Sequence, residues 1–209
     1  MSSTWLVDAE NPLLTEPVLA RMEDASRPDR LAWNTFRTLA LWEPDVWIPR
    51  LLGVACGEGS PLVAVEWSGT SVLPWAAGLA LDGVTDVVLD GPEALVVAAA
   101  TLSPGLSPQP SGLLAEVIEA AGDARQAGFV AVVAPGSDRP ASSESSDRPA
   151  SAERSDGVDV TGDGFTGWLT WAELGTLALD LAEEGDELRG EQVSRLVDDL
   201  QRQFPGIEL

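Results

Sequence analysis

The residues with chemistry to offer are carboxylates. Asp86 lies in the stretch 85–102, TDVVLDGPEALVVAAATL, which reads as two short strands, 84–90 and 94–102, joined by a turn at Asp90 and Gly91. An acid on one strand of such a hairpin is half of a divalent-metal site. A second carboxylate close by would complete a set of hard oxygen ligands. The ion would then lower the pKa of a bound water and stabilise charge developing on a phosphodiester. Glu66, in the valine-rich stretch 61–67, and Glu93, in the turn, are candidates for the second acid. The second strand offers methyl groups, Ala98 to Ala100, and then Thr101. Ala99 brings no ligand oxygen. Thr101 brings a neutral hydroxyl, which does not replace an ammonium beside an anionic transition state.

The rest of the composition narrows the chemistry further. The chain of 209 residues has no histidine, no tyrosine and no lysine; all 12 basic residues are arginines, and Cys56 is the single cysteine. Imidazole-assisted nucleophiles, Schiff bases and P-loops are therefore excluded, as are an intramolecular disulfide framework and a multi-cysteine metal site. With no basic neighbour to lower its pKa, the Cys56 thiol reads as packing. Residues 51 to 124 hold nine acids and no arginine, so the hairpin sits in a wholly acidic stretch. Basic help would have to come from Arg21, Arg27, Arg30, Arg37 or Arg50, from Arg125, or from beyond. Arg30 and Arg37 share a helix face, where surface ion pairing is the plainer role. For Asp86 the plainer role is a strand-start acid satisfied by backbone amides. Glu10, Glu16 and Glu23 are further carboxylates on the helical side. A net charge of −22 opposes binding to nucleic acid by long-range repulsion.

The elements that would position these groups follow from periodicity. Helices are expected from Thr15, which precedes Pro17, again after Pro28, with Leu31, Thr35, Leu39 and Trp42 on one stripe, and from Pro44 to Ala55. The stretch 61–67 reads as a strand, followed by the hairpin, a helix over 111–128 and a buried strand over 129–134. Residues 135–164 contain a tandem duplication, SDRPASSES and SDRPASAER, and are expected to be a flexible insertion in a single domain made of 1–134 and 165–209. A final strand near Phe165–Leu169, a capping box at Thr170 and Glu173, and two C-terminal helices complete the chain. Most of the eight tryptophans are expected in the core, although Trp33, Trp42, Trp47, Trp168 and Trp171 could build an exposed aromatic face. Trp75 is the best candidate for an exposed contact. The expected class is α/β, a small mixed central sheet with helices on both faces.

The order helix, three strands, helix, strand resembles the core of the PD-(D/E)XK nuclease superfamily, the restriction-endonuclease-like fold. In that family a strand carries Asp, a turn follows, and the next strand carries Glu-x-Lys. Asp86 matches the Asp, and Ala99-Ala100-Thr101 falls on the Glu-x-Lys. The segments WNTFRTLALWEPDVWIPRLL and GWLTWAEL are similar to the helical start and the late strand-to-helix junction of bacterial branches. The resemblance implies a catalytically degenerate member that acts as a binding or scaffolding partner in a bacterial multi-protein system, with a protein partner and no cofactor. An active nuclease is the first alternative; it would use Asp86 and Glu66 or Glu93 with Mg²⁺ or Mn²⁺ and an arginine for the missing lysine. An acidic decoy or immunity-type protein that binds a basic partner is the second. The start of the chain lacks a basic and apolar leader and no run is long enough to span a bilayer, so a cytoplasmic location away from membranes is expected.

Overall fold

The computed structural model describes residues 6, 10–23, 28–74, 87–104, 110–137, 159–161 and 164–209. Helices α1 (Glu16–Glu23), α2 (Asp29–Leu39), α3 (Pro44–Cys56) and the single turn α4 (Pro61–Ala64) come first. Strands β1 (Ser71–Pro74), β2 (Val87–Asp90) and β3 (Ala94–Ala100) follow, then α5 (Pro110–Ala121) and β4 (Gln126–Val133). The chain ends with β5 (Asp159–Thr161), β6 (Gly164–Thr170), α6 (Trp171–Glu183) and α7 (Glu187–Gln203). The six strands form one mixed sheet in the order β1-β2-β3-β4-β6-β5. The first three make an antiparallel meander, β3, β4 and β6 run parallel, and β5 returns antiparallel at the edge.

Alternation along the central strands sorts the core into two layers. Val87, Leu89, Val96, Ala98, Val130, Val132 and Leu169 belong to the larger core, with residues of α2, α3, α6 and α7. Val88, Leu95, Val97, Ala99, Phe129, Ala131 and Val133 belong to a second core, built with Leu113, Leu114 and Val117 of α5. Helices therefore cover both faces, as the composition of the strands requires: parallel strands with both faces buried are apolar almost throughout. Close approach is bought with glycine at Gly167 of β6, where an added Cβ would lie 2.5 Å from Cys56 Sγ and 3.0 Å from Ala55 Cβ of α3.

Two sequence expectations are corrected, and one short strand is added. The stretch 61–67 is not a strand: Pro61 starts α4, whose four residues end before Val65. The Trp67 indole N–H donates to Leu62 O at 3.0 Å and the Trp67 backbone N–H to Asp45 Oδ1 at 2.7 Å, which folds the segment back on α3. The helix expected over 111–128 stops at Ala121, because Gly122 takes φ +67 and ends it. Within the stretch expected to be an insertion, residues 159–161 form β5 against β6. The capping box at Thr170 and Glu173 forms in full, and Trp33, Trp42, Trp47, Trp168 and Trp171 are all buried. Trp75 lies outside the described residues. Among the described residues, no helix is long and apolar enough to cross a membrane.

Candidate functional site

The hairpin exists, and its register is set. Val87 pairs with Ala98 and Asp90 with Leu95. The turn closes with the Gly91 N–H donating to Ala94 O at 3.0 Å. Gly91 also lets Thr70 approach, since a Cβ there would lie 2.8 Å from Thr70 Oγ1. Asp86 lies outside the described residues. The two positions facing it in the expected motif are described. Ala99 is fully buried in the core shared with α5, opposite Ala131 of β4. Thr101 follows β3 and is bound at three points. Its N–H donates to Val132 O at 2.9 Å, its carbonyl accepts the Trp171 Nε1–H at 2.9 Å, and its hydroxyl accepts the Ser103 N–H at 3.2 Å. The Trp171 indole ties this corner to the start of α6, and the Thr101 N–H ties it to β4.

Glu66 sits at the other end of the hairpin. It is exposed, its N–H donates to Glu93 Oε2 at 3.0 Å, and its carboxylate accepts from the Ser68 hydroxyl. The six residue-to-residue steps from Glu93 to Ala99 along an extended strand span roughly 20 Å. The structure thus brings Ala99 and Thr101 together and Glu66 and Glu93 together, and keeps the two pairs apart. Among the described residues no three acids or thiols converge on a point that would hold a metal ion. The residues described at the β3 end do not fit a divalent ion: a methyl and a hydroxyl occupied by a backbone amide are not its ligands.

The arginine nearest this hairpin serves structure. Arg125 Nη1 lies 2.6 Å from Asp90 Oδ1, while its other nitrogens donate to Ala120 O at 3.0 Å and Ala121 O at 3.3 Å. It closes the C-terminal end of α5, where carbonyls lack partners, and clamps that end to β2. Nothing in the sequence spacing of 35 residues indicates this pair. Arg37 stacks over the Trp33 ring with its guanidinium carbon 5.5 Å from the centroid. Arg50 makes the outer ion pair: its two terminal nitrogens meet the Glu184 carboxylate at 3.0 and 2.9 Å. The hydrogen bond to Arg50 holds the Glu184 carboxyl below the usual glutamate range and raises the Arg50 guanidinium.

A second region gathers features that sequence reasoning did not single out. Beside β1, an edge strand among the described residues, lies a cleft of about 310 Å³. It is lined by the run Thr70 to Leu73, by Arg37 of α2 and Ala40 just past its end, and by Pro44 and Trp47 of α3. Asn11 and Leu13 close one side. The four-residue β1 is too short to show alternation in the sequence, which is why this edge escaped notice. No family model, curated protein or solved structure matches the chain.

Proposed function

We infer that the chain is a catalytically degenerate domain of the PD-(D/E)XK nuclease type that acts by binding a protein partner. The observation that carries this reading is Ala99: where the family motif places a metal-binding acid, a fully buried methyl group packs in the apolar core shared with α5. Three further features support it. The meander β1-β2-β3, the helix α5 and the parallel strand β4 follow the core order of that fold. The motif's last position is a threonine engaged by backbone groups. The chain has no lysine to supply the missing cation from elsewhere, and its net charge of −22 disfavours a phosphodiester substrate.

Calorimetric titration with Mg²⁺ and Mn²⁺ to millimolar concentration, with a plasmid-cleavage assay alongside, tests the reading. No saturable heat and no nicking are expected. Metal binding together with cleavage, both lost in Asp86→Ala, would overturn it in favour of an active nuclease.

A further inference from the structure

We propose that residues 205–209 form a strap over an apolar groove on α6, and that the groove takes an apolar segment of a protein partner when the strap lifts. This deepens the reading of the chain as a binding domain and rests on it. Helix α6 carries Gly175 in its interior, where alanine would favour the helix more. What lies above that glycine explains it. A Cβ there would come within 2.6 Å of Leu209 Cδ2 and 3.0 Å of Leu200 Cδ1 of α7. Gly175 is thus a notch in α6 that Leu209 fills. One turn earlier the Trp171 ring meets Phe204, with centroids 6.3 Å apart and an interplanar angle of 31°. Phe204, Ile207 and Leu209 all pack against the larger core.

Side chains hold this strap, and backbone bonds do not. Helix α7 ends at Gln203, Pro205 brings no N–H, and Gly206 turns the chain at φ +86. The Phe204 N–H donates to Leu200 O at 2.8 Å and the Ile207 N–H to Phe204 O at 3.0 Å. Among the described residues, no hydrogen bond joins 205–209 to α6. Phe204, Ile207 and Leu209 are half-buried, and Pro205, Gly206 and Glu208 are exposed. A segment with so few ties opens locally far more readily than the domain unfolds. The open state bares Trp171 and the notch, and a ligand that binds only that state shifts the population toward it.

The strap itself shows what fits the groove: an aromatic side chain, a turn, and an aliphatic side chain five residues beyond the aromatic one. The net charge of −22 selects the bearer. A neutral or basic partner approaches without long-range repulsion, whereas a second copy of this chain does not. Occupancy is also felt beyond α6, because the Trp171 indole N–H donates to Thr101 O just past β3.

The test uses the full chain, isotopically labelled, and a blocked heptapeptide with the sequence of residues 203–209. Its counterpart carries serine in place of the phenylalanine and the final leucine. Leu209→Asp frees the strap. Saturable shifts of the Trp171 indole N–H are expected in that variant, with affinity for the heptapeptide at least tenfold above that of the parent chain. Adding Gly175→Ala fills the notch and should return the affinity to the parent's level. Equal affinity in the parent and in Leu209→Asp, no shift at millimolar peptide, or equal binding of the serine counterpart would overturn the proposal. So would loss of cooperative unfolding in both Leu209→Asp and the milder Leu209→Ala, which would make the tail part of the core. A concentration-dependent dimer that exchanges tails between copies would overturn it as well. Failure here with metal binding and cleavage still absent removes the strap and leaves the binding-domain reading standing; failure accompanied by metal-dependent cleavage removes both.

Discussion

Replacing Ala99 with glutamate places an acid where the proposed reading would have one and asks whether the corner can hold it. Ala99 is fully buried, with Ala131 opposite and the side chains of α5 over it. Two costs follow. Extra volume in a packed core costs about 1–3 kcal/mol, and glutamine at the same position carries that cost equally. The charge adds a second cost. Burial among aliphatic groups raises a carboxyl pKa by about 3 units, and each unit is worth about 1.36 kcal/mol. The folded-state value then lies above the unfolded value of about 4.3, so the charge cost is absent below that value. It grows as pH rises, reaching about 4 kcal/mol once the folded-state group ionises. Urea unfolding of Ala99→Glu and Ala99→Gln at pH 5.5 and pH 8 isolates the charge. The stability gap between the two variants should be about 1.6 kcal/mol at the lower pH and widen by about 2 kcal/mol at the higher. A gap that stays below about 0.5 kcal/mol at both pH values would refute the reasoning, because the carboxylate would then be reaching water or a cation. Stabilisation of Ala99→Glu by Mg²⁺ would revive the metal site outright.

Other perturbations have defined outcomes. Gly167→Ala should lower stability by about 1–3 kcal/mol in chemical denaturation, and adding Cys56→Ala should recover part of the loss, since Cys56 Sγ is the atom the new methyl meets. Thr170→Ala should cost about 1 kcal/mol by removing the acceptor for the Glu173 N–H, with Thr170→Ser close to the parent in thermal unfolding. Trp171→Phe should cost about 1–3 kcal/mol by leaving the Thr101 carbonyl without its indole donor, and the change in amide shifts should centre on residues 101–103. Carbon-detected titration should place the Glu184 carboxyl below the usual glutamate range, and Arg50→Gln should return it to that range. Its folded-state value is depressed, so the stability this pair contributes is present above the unfolded value and lost as pH falls through the folded one.

What the sequence disclosed follows from which signals are local. The hairpin was legible because Asp90-Gly91 is a turn and valine runs flank it. The capping box at Thr170 was legible because both partners lie within four residues. The stretch 61–67 misled because valine content stood in for pairing; Pro61 at a helix start and the Trp67 contacts to Leu62 and Asp45 depend on α3 lying beside it. The helix over 111–128 ran long because alanine-rich residues hid the stop at Gly122. At the site, that Ala99 offers no ligand oxygen is visible in the residue itself. The separation of Glu66 from that corner is not, because it depends on where a non-strand segment meets the turn. The clamp of Arg125 on Asp90 and the cleft at β1 likewise arise only when distant segments meet.

The position of a strand within the sheet also decides how far the effect of a change spreads. Ala99 and Ala131 sit on β3 and β4, the central pair of the order β1-β2-β3-β4-β6-β5. Amides there exchange with solvent only when most of the domain opens, whereas an edge strand opens locally. Variation on β3 is therefore felt by the whole fold. Ser71 on β1 lies at the other extreme, where a new side chain changes what the surface meets and leaves the global opening equilibrium nearly untouched. The same sheet can hold its centre constant while its rim diversifies.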